Sequence, residues 1–210
     1  LLSAARVNQI PAVITTLLKA GAELNAQDKT GWDTLMNAAA LNKNPDVITT
    51  LLSAGADVNA RARDGWTPLI ASARYNQNTD VVTTLLGAGA DFTARNTDGL
   101  TALMVAARHG KNPEVISVLL KAGADPTAQS NEGKTAFDYA QHNAILKVTS
   151  AYNDLSEATP TSIAPSGFRH GNNQALIHVY SEAVFEKSYG DFVRIGVAKS
   201  DEGATGVSAH

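Results

Sequence analysis

The sequence predicts an all-α repeat protein, a solenoid of helix–loop–helix units followed by an irregular C-terminal tail. Three observations carry that prediction. Glycine recurs in register every 34 residues, at Gly31, Gly65, Gly99 and Gly133 and again at Gly21, Gly55, Gly89 and Gly123. Leu1, Leu35, Leu69 and Leu103 keep the same period. A fixed period of this length marks one supersecondary unit stacked on copies of itself. Composition agrees: aromatic residues make up only 6% of the 210, while Ala, Leu and Gly abound, which suits small, closely packed helices better than a wide β core.

The unit can be read from its start. Gly31-Trp32-Asp33-Thr34 precedes a short, alanine-rich helix from Leu35 to Leu41. Asn42 is expected to end it in a left-handed conformation, a role Gly110 takes two units later. Asn44-Pro45-Asp46 then opens a second helix, with Asn as the cap, Pro at the first helical position and an acid facing the positive end of the helix dipole. The same logic recurs at Asn112-Pro113-Glu114 and, without the proline, at Asn78-Thr79-Asp80. Val47, Ile48, Leu51 and Leu52 give the second helix an apolar stripe wide enough to face its own partner and the next unit. Gly55 stops the helix, Ala56 to Ala60 run extended, and Arg63-Asp64-Gly65-Trp66 turns the chain back.

Three full units follow, at 31–64, 65–98 and 99–132. Residues 1–30 form a unit lacking its first four residues, and 133–155 a shortened last one. In that last unit Ile145, Val148, Tyr152 and Leu155 are predicted to form one apolar stripe, leaving a wet face as a capping repeat requires. The first unit has no such cap, so the array is expected to continue upstream. The apolar surface around Leu1, Leu2 and Val13 then predicts fraying or weak self-association of an otherwise monomeric protein. Residues 156–173, with Thr159-Pro160 and Pro165-Ser166-Gly167, read as a linker. Residues 174–210 read as a poorly structured tail or partial β-hairpin, with strand-like content at 174–180 and 191–198.

Leu51-Leu52-Ser53-Ala54-Gly55-Ala56-Asp57-Val58-Asn59-Ala60, followed by Asp64-Gly65-Trp66-Thr67-Pro68-Leu69, resembles the ankyrin repeat. The resemblance covers residues 1 to about 155. It departs from the family in a unit one residue longer, with the extra residue in the inter-helix loop. It departs also where the family's Thr-Pro-Leu-His has lost its His to Met36, Ile70 and Met104, and its Thr to Asp33 in the second unit. The inter-unit hydrogen bonds of that Thr and His are therefore expected to be partly replaced by apolar packing. The resemblance implies β-hairpin fingers and a concave binding face built from fingers and groove. Carried onto this sequence, that face comprises Lys29, Trp32, Leu41, Arg63, Trp66, Arg74, Tyr75, Leu100, Arg108 and His109. The residues equivalent to Trp32 and Trp66 in later units are Leu100 and Lys134, so packing alone does not demand an aromatic there.

Chemistry is otherwise sparse. The chain has no cysteine, which excludes disulfides and thiolate metal sites. The five histidines form no His-x-x-x-His pair, and Gly87-Ala88-Gly89-Ala90 is neither a dinucleotide nor a phosphate-loop motif. Asp57, Asp91 and Asp125 recur because the unit recurs and are not an acid/base pair. No catalytic residue, cofactor or metal is expected, and no apolar run is long enough to span a bilayer. Residues 1–155 carry 13 basic and 14 acidic side chains. Finger and groove positions nevertheless hold Arg6, Lys29, Arg61, Arg63, Arg74, Arg95, Arg108 and Lys134, against Asp28, Asp64, Asp98 and Glu132 in the turns. The expected activity is a non-catalytic protein–protein interaction scaffold whose mildly basic groove takes an acidic or mixed-charge protein segment. The alternative is a targeting module of a larger enzyme or effector whose catalytic part lies outside this sequence. A net charge of -3 and the lack of a basic run disfavour nucleic acid.

Overall fold

The computed structural model describes residues 1–159 and, beyond them, the backbones of four short strands. The helices come in pairs: α1 (Leu2–Val7) with α2 (Pro11–Lys19), α3 (Thr34–Leu41) with α4 (Pro45–Ser53), and α5 (Pro68–Tyr75) with α6 (Thr79–Gly87). α7 (Ala102–His109) with α8 (Glu114–Lys121), and α9 (Ala136–Ala140) with α10 (Ser150–Ala158), complete the stack. The odd-numbered helices pack side by side in chain order as one layer, and the even-numbered ones as a second. Between the layers lie Leu35, Leu69 and Leu103 from the first, with Ile48, Leu51, Leu85, Ile116 and Leu119 from the second, all buried. α3 is buried from Thr34 through Ala40 because it is flanked by α1, α4 and α5.

Helix starts are fixed by side-chain caps. Asp33, Thr67 and Thr101 accept hydrogen bonds from the amides of Met36, Ile70 and Met104. Those three apolar residues are buried where the family's His would stand. Asn44 and Asn78 cap α4 and α6 through the amides of Asp46 and Asp80. Gly55 ends α4 with φ 97°, its amide bonded to Leu52 O and that of Ala56 to Leu51 O, both at 3.0 Å. That pair of bonds is the Schellman ending, and it needs a residue that tolerates positive φ.

The expected left-handed ends at Asn42 and Gly110 do not form. Both residues are extended, at φ −80°, ψ 133° and φ −61°, ψ 142°. Asn42 has another task. It is fully buried, and its Nδ2 donates to Ala5 O and Asn8 O of the preceding unit, both at 2.8 Å. Its Oδ1 accepts from Asn44 N at 2.9 Å. Asn76 repeats the pattern on Ala39 O (2.8 Å) and Asn42 O (2.7 Å), and Asn143 on Ala107 O and Gly110 O, both at 3.1 Å. A helix leaves its last carbonyls without intrahelical partners, and here the next unit supplies the donors. A second row of Asn side chains runs nearer the surface: Asn44, Asn78 and Asn112 donate to the carbonyls of Gln9, Lys43 and Gln77. Gly110 breaks the buried row, and a Cβ there would clash with the Ala106 carbonyl.

The fingers are tight turns. Ala62 N bonds Trp66 O at 2.9 Å and Gly65 N bonds Ala62 O at 3.0 Å. Successive fingertips are joined by single backbone bonds: Arg63 N to Thr30 O (3.4 Å), Thr97 N to Asp64 O (2.9 Å) and Asn131 N to Asp98 O (3.1 Å).

The last unit differs from the expected single stripe. A 3₁₀ turn at Leu146–Val148 and an extended Thr149 interrupt the helix, and α10 begins only at Ser150. Ile145 (48%) and Val148 (88%) are exposed, while Leu146, Ala151 and Leu155 are buried. The cause is Asn143, which is held against the end of α7 and accepts from Ile145 N at 3.1 Å. That anchor turns Leu146 inward, so a period counted across the break falls out of phase. α10 continues through Ser156–Ala158, where the sequence suggests a linker, and buried Thr159 donates to Pro126 O at 3.4 Å. At the other end Leu1, Leu2 and Val13 are half-buried, and Val7 and Ile10 are the exposed apolar residues.

Residues Ser162–His210 form a separate unit. In it β1 (Phe168–His170) pairs antiparallel with β2 (Leu176–His178), and β3 (Ile195–Lys199) with β4 (Thr205–Ala209). β2 lies within the first strand-like segment of the sequence and β3 overlaps the second, ending one residue beyond it, each paired with a neighbour. The expected linker at 160–167 and 171–173, and residues 174–175, 179–180 and 191–194 of the two strand-like segments, lie outside the described residues. No described helix is long and apolar enough to cross a membrane.

Two outcomes follow for stability. Asn76→Ala strips donors from buried carbonyls and should destabilise by about 1–3 kcal/mol in urea unfolding. Asn78→Ala loses a cap and an exposed bond and should cost about 1 kcal/mol. The second outcome concerns Asp33, whose burial pushes its carboxyl above the usual range against the pull of the Met36 and Leu35 amides. A raised folded-state pKa means this group favours folding most in acid, and that contribution is lost as pH rises through the folded value. Asp33→Asn keeps the capping oxygen and removes the charge. It should therefore be more stable than the parent at pH 7, with the difference closing below the unfolded carboxylate value of about 3.9.

Candidate functional site

The residues named from sequence for the binding face sit on two kinds of position: the finger turns and the last turn of each odd-numbered helix. Asp28 shapes the first finger. Its Oδ1 accepts from Thr30 N (2.8 Å), Thr30 Oγ1 (2.5 Å) and Trp32 N (3.0 Å), and the Thr30 hydroxyl holds this carboxyl below its usual range. Trp32 is thereby fixed at the mouth of α3, and Trp66 stands one unit further at the mouth of α5. Arg74 and Tyr75 are the last two residues of α5.

These four side chains meet. The Trp32 and Trp66 ring centroids are 5.8 Å apart. Tyr75 lies 6.1 Å from each, edge-on to Trp32 at 62° and stacked on Trp66 at 29°. The Arg74 guanidinium carbon is 5.6 Å from the Trp66 centroid and 5.0 Å from that of Tyr75. Both Trp rings are half-buried and Tyr75 is 47% exposed. Aromatic pairs at these separations contribute about 0.5–1.5 kcal/mol beyond area burial, and cation–π contacts about 0.5–1 kcal/mol at exposed sites. The cluster is thus assembled before any ligand arrives. Leu41, 45% exposed, holds in α3 the place that Tyr75 holds in α5.

Beyond the aromatic cluster the same face becomes cationic. The Arg108 guanidinium lies 5.2 Å from the Tyr139 ring centroid and Lys134 Nζ 5.8 Å from it. The Tyr139 hydroxyl is pinned to Ser130 Oγ at 2.9 Å. Lys134 also pairs with Glu132 at 2.8 Å, both side chains about half exposed. His109 is exposed beside Arg108. Partial burial, then Arg74 and Arg108, hold its imidazole below the usual pKa. Tyr139 is in register with Val105, a core position, so the repeat pattern gives no sign that it carries a polar contact. Arg108 and Lys134 are finger and groove cations by position in the unit, but their convergence on Tyr139, and the Ser130 partner of its hydroxyl, depend on contacts between elements.

Three other residues are placed differently from expectation. Leu100 occupies the Trp position of its unit but is only 4% exposed, because its shorter side chain sinks into the core. It cannot be a contact residue. Arg61 and Arg95 are exposed, but their guanidiniums are already engaged. Each donates to a backbone carbonyl of the next unit, Arg95 O and Gln129 O, beside Asp91 and Asp125. Those two carboxyls brace their own loops through Thr93 and Thr127, whose hydroxyls hold them below the usual range. Lys29 and Arg63 are exposed near the fingertips.

Among the described residues no group of His, Asp and Glu is arranged to hold a metal ion. An open groove of about 540 Å³ between α2 and α4, lined by Thr15, Leu18, Lys19 and Thr50, brings no pair of titratable groups together. It lies on the other helix layer. A family profile described as ankyrin repeats (3 copies) matches residues 1–96 and 73–150. No curated protein matches the sequence.

Proposed function

This chain belongs to the ankyrin repeat family, whose members generally serve as protein–protein interaction modules, and on that premise we propose that it is a non-catalytic scaffold holding a protein partner on the face shared by fingers and odd-numbered helix ends. The observation that carries the proposal is the Trp32–Trp66–Tyr75 cluster with Arg74 laid over two of its rings. Trp, Tyr and Arg are the residues that dominate binding hot spots. The fold does without aromatics at this place in later units, where Leu100 and Lys134 stand. Mutual packing restrains the rings, so little rotamer freedom remains to be lost on binding. Lys29, Arg63, Leu41, Arg108 and His109 form the rim, and its charge favours a partner of acidic or mixed charge.

The test is comparative capture from an extract of the source organism. The parent is set against a Trp66→Ala, Arg74→Ala double variant whose helicity is checked by circular dichroism. Loss of a hot-spot pair should weaken binding by at least about 2 kcal/mol, enough to remove a partner from the captured set. Equal recovery of every partner by two equally folded proteins would show that this face is not the contact surface.

A further inference from the structure

The proposed face is not uniform along the stack. It is aromatic at Trp32, Trp66 and Tyr75 and cationic at Arg74, Arg108 and Lys134. Arg74 already lies over the exposed ring faces, so an incoming cation would meet like charge while a carboxylate would meet an oriented donor. Acids facing this strip are few. Glu132 is tied to Lys134 by an exposed bridge that contributes little and that a ligand carboxylate can replace. The exposed fingertip acids Asp28 and Asp64 turn a carboxylate oxygen to the amides of their own turns, Thr30 N and Trp32 N for Asp28 and Trp66 N for Asp64, and Asp98 is exposed at the next fingertip.

Spacing adds a register. Arg74 and Arg108 occupy the same position in α5 and α7, and Arg108 and Lys134 share the Tyr139 ring. α5, α7 and α9 pack side by side in order. Packed helices lie about 8–10 Å apart, and an extended chain rises about 3.3 Å per residue, so one step along the stack takes about three residues.

We propose that the partner presents an extended acidic segment, with one bulky apolar side chain against Trp32, Trp66 and Tyr75, a carboxylate against Arg74 and a second carboxylate about three residues on against the Arg108–Lys134 pair. It rests on the interaction role proposed above and adds the chemistry and polarity of the ligand.

Both tryptophans of the chain lie in the cluster, so intrinsic fluorescence reads this site directly. The experiment titrates the full chain with Trp-free peptides in which Leu is followed by Glu at the third and sixth positions, made in both chain directions. One control replaces Glu by Lys. Another keeps the composition but places both Glu next to Leu. The in-register acidic peptide, in one direction, should bind at least about tenfold tighter than either control and weaken with salt. Arg108→Glu should lose that preference, and Arg108→Gln should show the intermediate loss expected of a charge effect rather than misfolding. Equal affinity for Glu and Lys peptides, indifference to spacing, or no binding by any peptide overturns the inference. If the double variant still loses its partner in the capture experiment, the interaction role survives that failure. If capture is also unchanged, both fall.

Discussion

The stack depends on one arrangement: a buried asparagine side chain from each of several units reaching the free carbonyls at the end of the preceding unit's first helix. Most of those carbonyls are buried, where an unpaired polar group is costly. Asn42 answers Ala5 and Asn8, and Asn76 answers Ala39 and Asn42. Because the donor is rigid and the acceptors are backbone, the bond sets both the distance and the rotation between units. Apolar packing of Leu35, Leu69 and Leu103 could tolerate a slip along the layer; two directed hydrogen bonds from one amide cannot.

That fixed relation is what makes a surface cluster possible. Trp32 and Trp66 come from different fingers, and Tyr75 and Arg74 from a helix end. Their mutual contact needs adjacent units held in one register, and the fingertip bonds from Arg63 to Thr30 and from Thr97 to Asp64 maintain it on the outer side. The polar spine and the aromatic cluster are therefore two sides of one constraint. The first satisfies buried carbonyls, and the second uses the alignment that results.

Much of this was legible in the chain. Period, cap residues and C-terminal glycines are local signals, each tied to a backbone requirement, and the helices begin and end where Asn44, Asn78 and Gly55 say they should. Trp32, Trp66 and Tyr75 could be assigned to one face because the resemblance to the ankyrin repeat places those positions of the unit on its concave side. What was hidden depends on partners far along the chain. Asn42 looks like a helix stop, yet its function is set by carbonyls more than thirty residues earlier. Leu100 looks like a surface residue by register, but side-chain length decides whether that position reaches solvent. Arg61 and Arg95 count toward a basic groove on charge alone, and only the geometry shows their guanidiniums spent on neighbouring backbone. Ile145 and Val148 fit a helical period that a 3₁₀ turn interrupts.

A protein partner held on the finger and helix-end face, by an aromatic cluster that the stack aligns, would cover a defined set of backbone amides. Amide hydrogen exchange of the chain with and without its captured partner tests it most directly. Protection should rise at Thr30–Trp32, Arg63–Trp66 and the ends of α5 and α7, with α4 and α6 unchanged. Protection concentrated on the outward surfaces of α4 and α6, with the Trp66 and Tyr75 amides unaffected, would contradict it.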